Sequence, residues 1–233
     1  MSMNDTAIRG ALLVASAFIG YQLATSGSGS DPDDGGFKPR FLDRRKYARL
    51  STKAAPHTRM RNANEVVTGV VLHQMGFSRG SDPSKYDAVT AHYKILPDGT
   101  IVWSHDHRVR LPAANKFNGY TISVEFAGNL PSVEGSRDPR HYWSPETHGM
   151  NNLTNAQKMS GRWLMRHLNK RYGIRYVFGH VQSEAGKGND PGPAIWRNVA
   201  MYAKTALGMS SGGPGYYIDG GKAIPSSWEA VLA

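Results

Sequence analysis

FGHVQSEAGKGNDPGP, residues 178–193, places His180 directly after the apolar run Ile174 to Phe178, which is broken only by Arg175 and reads as the end of a strand. Ten residues on comes Asp190, braced by Pro191 and Pro193. Imidazole nitrogen and carboxylate oxygen are both good zinc ligands, and a catalytic zinc takes three protein ligands and keeps one position open. The chain offers a third donor upstream. Val70-Val71-Leu72-His73 is another apolar run that ends in a histidine.

Between the two histidine strands lies a further strand-like run. Thr121-Ile122-Ser123-Val124-Glu125-Phe126-Ala127-Gly128 alternates apolar and polar residues and sets Glu125 among apolar neighbours. A carboxylate in such surroundings is a candidate base for an attacking water. Two strands that deliver histidines, a carboxylate on a proline-braced loop and a second carboxylate on a strand form a candidate hydrolytic site.

In this order the pieces VVLHQMG (70–76), HYKILPDGTIV (92–102), NGYTISVEFAGN (118–129) and FGHVQSEAGKGNDPGPAIW (178–196) resemble the zinc-dependent N-acetylmuramoyl-L-alanine amidases of the type-2 class. That class includes phage endolysins and is related to the peptidoglycan recognition proteins. The GH…DPGPAxxW block is the specific part of the match. The resemblance implies zinc ligands at His73, His180 and Asp190, and a catalytic acid/base at Glu125. Some members use a cysteine as third ligand and a tyrosine near the second strand. Here Asp190 takes the ligand position and Ala91-His92 opens that strand, which places the chain with the glutamate-using branch. That branch carries a lysine two residues before the aspartate. This chain has Gly188 there, and Lys187 one position earlier is the candidate for the same role.

The 233 residues suffice for one domain with appendages. No cysteine is present, so no disulfide framework is in use. Ala7 to Ala24 is mostly apolar, with Arg9 at its edge, and is close to the ~20 residues a spanning helix requires. A membrane anchor, a secretion signal and a helix that docks on a partner all fit that segment. TSGSGSDPDDGG, residues 25–36, has the composition of a hydrated linker. Residues 37–62 then hold nine Lys or Arg against one acidic residue, Asp43, a net of +8 in a chain whose total is +10. Such a stretch suits an anionic polymer (teichoic acid, lipid headgroups or nucleic acid) or forms a solvated arm on the domain. No nucleic-acid-binding module accompanies it, so no specific nucleic-acid partner is expected.

The expected fold is α/β, a central mixed β-sheet flanked by α-helices. It divides into an apolar segment 1–24, a linker 25–36, a basic arm 37–62, an amidase domain 63–208 and a Gly-rich tail 209–233. Within the domain a buried strand is expected over Val66 to Leu72 and a short helix from Pro83. A hairpin pairs Tyr93–Leu96 with Thr100–Trp103 about the Pro97-Asp98-Gly99 turn. Thr154 to Gln157 has the form of a capping box, opening a helix that Gly173 ends. A last helix runs from Pro193 to about Leu207. Residues 129–152 form a long insertion of the kind that serves as a lid or binding loop. Tyr142 and Trp143 within it are candidates for sugar stacking or for local packing. His105 and His107, two apart, would share a strand face as a decoy metal pair. His92 and His167 read as structural.

The resemblance implies a hydrolase of the bond between N-acetylmuramic acid and L-alanine, with peptidoglycan as substrate. It places the protein in the cell envelope or a phage virion, acting on the periplasmic or wall side, with a membrane or virion partner for the apolar segment. The alternative is a peptidoglycan-binding or virion structural module that keeps this fold without turnover.

Overall fold

A computed structural model describes residues 36–229. The apolar segment and nearly all of the linker therefore lie outside the described residues. Among the described residues no helix is long and apolar enough to cross a membrane.

The strands are β1 (Phe41–Asp43), β2 (Arg59–Met60), β3 (Gly69–Gln74), β4 (Tyr93–Ile95), β5 (Ile101–Trp103), β6 (Val109–Arg110), β7 (Thr121–Phe126) and β8 (Tyr176–Gly179). Six of them form one sheet in the order β1-β5-β4-β7-β3-β8. β4 and β5 make the antiparallel hairpin, with Tyr93 opposite Trp103, and every other pairing in this sheet is parallel. β2 and β6 form a separate antiparallel pair. The sheet is thus mixed, as the sequence predicts. β3 is buried on both faces, the condition under which a parallel strand reads as a continuous apolar run. It begins later than the apolar pattern suggests, because Thr68 and Gly69 both donate to the Tyr120 carbonyl and Val66 is left exposed. It also ends later, with Gln74 opposite Phe126, so His73 lies inside the strand.

Helix α1 (Pro145–His148) is a single turn in the insertion, and α2 (Asn155–Tyr172) is the long helix. The capping box is present at its start: Thr154 Oγ1 accepts from the Gln157 amide at 3.0 Å and Gln157 Oε1 accepts from the Thr154 amide at 3.1 Å. Gln157 Nε2 also donates to the Ala127 carbonyl at 2.8 Å, which fixes the helix start to the end of β7. The last long helix is assembled from α3 (Pro193–Ile195), a π-helical stretch Trp196–Ala200 and α4 (Met201–Leu207). A final turn, α5, spans Ser226–Glu229.

Alternation along the strands sends Val70, Leu72, Ile122, Val124 and Phe126 to one face, where they pack with Leu164, Met165, Leu168, Trp196 and Val199. Each such side chain contributes about 1.5–3 kcal/mol on burial, so this helix-covered face holds most of the stabilising apolar contact. The opposite face carries two smaller clusters, Val71 with Phe117 and Phe178, and Leu96 with Tyr86 and Val102. His73 and Glu125 share this second face. The sheet is therefore anchored from behind and leaves its other face for chemistry.

Residues 37–62 contribute β1 and β2, and several of their charges are engaged within the fold. Arg44 pairs with Asp87 at 2.8 Å, and Arg45 lies over the Trp103 ring at 3.6 Å while binding Asp43. Arg61 donates to the carbonyls of His107, Asn118, Gly119 and Thr121. His105 and His107 form no metal pair: His105 Nδ1 meets the Ala91 carbonyl and His107 Nε2 meets the Tyr93 hydroxyl. His92 is buried between Ser123 and the Val109 carbonyl. His167 stacks on Trp163.

Candidate functional site

His73 comes from the C-terminal end of β3, and β3 pairs with β8 so that Leu72 lies opposite Gly179. His180 follows at once, as the first residue of the turn His180–Gln182. Gly179 is required there by close approach. A Cβ at this position would meet Pro191 Cδ at 2.8 Å, so only glycine lets the loop carrying Asp190 fold back against the strand. The Val181 amide donates to the Asp190 carbonyl at 2.9 Å and closes that loop.

The result is a convergence of three donors. His73 Nδ1 and His180 Nδ1 are 3.1 Å apart, and Asp190 Oδ2 lies 2.9 Å from His180 Nδ1 and 3.6 Å from His73 Nδ1. Donors around a tetrahedral ion with bonds of about 2.0–2.2 Å stand ~3.3 Å apart, so these separations match one face of such a polyhedron. Two imidazole nitrogens and one carboxylate oxygen are also the right chemistry for zinc. Both histidines are buried. His180 Nε2 lies 3.4 Å from Glu184 Oε2, the outer carboxylate that leaves Nδ1 free to act as a ligand. Burial opposes charge on Asp190, but His73 and His180 beside it hold its carboxyl below the ordinary aspartate range.

Glu125 lies directly across from His73 in the β3–β7 register. Its Oε2 is buried with no hydrogen-bond partner among the described residues. Burial pushes its carboxyl up to about 7, with Asp190 adding to the rise and His73, Lys187 and Lys94 opposing it. Lys187 thus acts electrostatically on Glu125. Its loop turns through bonds from the Lys187 amide to the Glu184 carbonyl and from the Asp190 amide to the Lys187 carbonyl.

Three further residues support this arrangement. The Gln74 amide donates to Asp190 Oδ1 at 3.0 Å, while its side chain donates to the Asn189 carbonyl and accepts from the Leu130 amide at 2.8 Å. Gln74 thereby ties the ligand loop to the base of the insertion. Glu184 is the second. Lys94, opposite Glu125 on β4, is the third: it is wholly buried and donates to the Tyr86 carbonyl at 2.6 Å. Gln74→Met should keep the strand but remove both side-chain bonds. A loss of outer-shell support of this kind lowers metal affinity by about 10–100-fold, measurable by competition with a chromophoric chelator. Unchanged affinity would show that the backbone amide alone holds Asp190.

Lys94 makes a separate prediction for stability. Burial lowers its ammonium to about 8. Between that value and an unfolded pKa near 10.4, the unfolded chain binds more protons, so stability rises with pH through this window. The wild type should therefore gain about 2–3 kcal/mol relative to Lys94→Met from pH 8 to pH 10.5. Urea melts of both proteins across that range test it, and parallel curves would contradict it.

Residues 62–193 match the family model described as N-acetylmuramoyl-L-alanine amidase. The chain belongs to this amidase family. No match was found among curated proteins. Similar solved structures include the N-acetylmuramoyl-L-alanine amidase LysC from Clostridium intestinale URNW, at 16% identity and TM-score 0.49, covering 74% of this chain and 99% of that one. Drosophila PGRP-LB has 15% identity and TM-score 0.49, covering 72% and 95%. The Ph2119 endolysin from Thermus scotoductus MAT2119 bacteriophage Ph2119 has 16% identity and TM-score 0.46, covering 71% and 97%.

The amidase match ends at Pro193, so it takes in every residue of the donor cluster as well as Glu125 and Lys187. It also spans the insertion 129–152. Asn129 organises that insertion by donating to the carbonyls of Trp143 and Gly149, and Tyr142 is buried with its hydroxyl on the Ser136 carbonyl. Trp143 is 60% exposed and stacks on His148.

Proposed function

We propose that this member of the amidase family is a zinc-dependent hydrolase that cleaves the amide bond between N-acetylmuramic acid and L-alanine in peptidoglycan. The observation that carries this reading is the convergence of His73 Nδ1, His180 Nδ1 and Asp190 Oδ2 beside a buried, unpartnered Glu125 oxygen. Those three residues would hold the ion. Zinc bound there would supply Lewis acidity and bring the pKa of a water toward neutrality.

Glu125 accepts the proton of the attacking water as its oxygen adds to the amide carbon. It then returns that proton to the nitrogen as the carbon–nitrogen bond breaks, releasing an amine and a carboxylic acid. A carboxyl raised by burial is suited to both halves of this exchange, since it neither holds its proton too weakly nor binds it irreversibly at neutral pH. Lys187 contributes positive charge near the developing oxyanion. On this reading catalysis belongs to residues 63–208, and the protein acts on the periplasmic or wall side of the envelope.

Digestion of purified peptidoglycan followed by mass spectrometry of the products tests the reaction. New L-alanine amino termini on released stem peptides are the expected result. New reducing ends would indicate a glycosidase, and binding without cleavage would indicate a recognition module. Lys187→Ala should lower turnover on soluble muropeptides by about 10²-fold with KM little changed. An unaltered turnover would remove Lys187 from the mechanism.

A further inference from the structure

At the end of the sheet opposite the donor cluster lies a pocket of about 460 Å³, within the range of small-molecule sites. Its walls include Thr68, Tyr120, Tyr176, Phe178, Ser210 and Tyr216. Thr68 and Tyr120 immediately precede β3 and β7, and Tyr176 opens β8, so the pocket sits where three neighbouring parallel strands begin. His73 and His180 stand where those strands end. Along β8, Tyr176 is four residues from His180, about 13 Å.

The rings are organised around Phe178. Phe117 stacks on it at 4.5 Å and Tyr176 at 5.9 Å, while Tyr216 is tilted against it at 5.9 Å. Tyr216 and Ser210 come from the Gly-rich tail, beyond the residues the family model matches. The tail is fastened at this spot. The Val177 amide donates to the Ser210 carbonyl and the Ser210 amide to the Arg175 carbonyl, while Gln182 Nε2 donates to the Tyr216 carbonyl. Gly212 makes room for the ring. With φ +90°, it would bring a Cβ within 2.1 Å of Tyr216 Cδ1.

Among the described residues no charged side chain lines the pocket. Stem peptides carry carboxylates and amines, which call for charged partners, and this wall has none to offer. The Tyr120 and Tyr216 hydroxyls bond to each other and Ser210 Oγ accepts from the Gly212 amide at 3.1 Å, so a purely apolar ligand would leave the hydroxyls of Tyr176 and Thr68 without a partner. Aromatic faces edged with neutral hydroxyls suit a ligand with an apolar C–H face and neutral polar groups around its rim, which describes a pyranose.

We propose that this pocket is a second, non-catalytic saccharide site that takes an N-acetylhexosamine ring of a glycan strand. The choice of that sugar rests on the amidase reading, while the saccharide chemistry rests on the pocket alone. A polymer can occupy both ends of the sheet at once, so the second site raises the effective concentration of the glycan at the first.

The test is titration of the full chain with a β-1,4-linked N-acetylglucosamine tetrasaccharide, followed by NMR. Saturable shifts at the amides of Tyr176, Ser210 and Gly212 are expected, and Tyr176→Ala should weaken binding by about tenfold. Thr68→Val, which keeps shape and deletes one hydroxyl, should weaken it less and serves if Tyr176→Ala fails to fold. Tyr176→Ala should also slow digestion of intact sacculi while turnover of soluble muropeptides stays unchanged. Absence of shifts, shifts confined to the loop between His180 and Asp190, or undiminished binding in both variants would overturn the site. Shifts at the pocket in a protein that cleaves neither substrate would uphold the pocket and reject the amidase reading.

Discussion

Glu125→Gln is expected to lower the rate of amide cleavage by about 10²–10⁴-fold while the protein keeps its fold and its metal. The substitution preserves volume, which matters because β7 is buried between β4 and β3 and Glu125 lies opposite His73 in the register. It removes the only group in this position able to take a proton from water and return it. Glutamine also cannot be charged, so the cost of burying a carboxylate next to Asp190 disappears. The variant should therefore be at least as stable as the parent, which separates lost chemistry from lost structure. Single-turnover kinetics on a soluble muropeptide, with metal content and melting temperature measured on the same sample, decide the matter. Near-normal turnover with full metal would sink Glu125 as the base.

The fold was legible wherever a pattern had one physical cause. Buried parallel strands read as unbroken apolar runs, and the capping box from Thr154 to Gln157 marked the start of α2 to the residue. Boundaries set by tertiary bonds were less visible. β3 starts at Gly69 because two amides are drawn to Tyr120, a contact that the sequence around Val66 does not encode locally. The donor set was legible because strand ends and a proline-braced aspartate are local signals. Gln74 and Glu184 were not, since an ordinary glutamine beside a histidine and a glutamate four residues beyond another acquire meaning only once the loop from Val181 to Asp190 is folded. Lys94 was hidden for a different reason. A lysine in a strand signals exposure by default, and its burial depends on the Tyr86 carbonyl, which a separate segment supplies. In the tail, a run of glycines and the Tyr216-Tyr217 pair carried no pattern that assigns a role. Its packing follows from Gly212 yielding space to Tyr216, a relation between one small residue and one large one that composition does not disclose.

His180→Ala is expected to abolish both metal binding and activity, and zinc titration reads the first independently of the second. Two donors remain in the variant, His73 and Asp190, whereas zinc in proteins is held by at least three. A ligand that binds only the folded state stabilises it by RT ln(1 + [L]/Kd), about 2.7 kcal/mol at a hundredfold excess over Kd. For a domain of this size each kcal/mol corresponds to roughly 2–4 °C, so saturating zinc should raise the wild-type melting temperature by about 5–10 °C. The variant should show no such rise. The substitution leaves the helix-covered core of Val70, Leu72, Leu164 and Trp196 untouched, so the metal-free proteins should melt at similar temperatures. An equal zinc-induced rise in both proteins would place the metal elsewhere and take away the basis for assigning it to His73, His180 and Asp190.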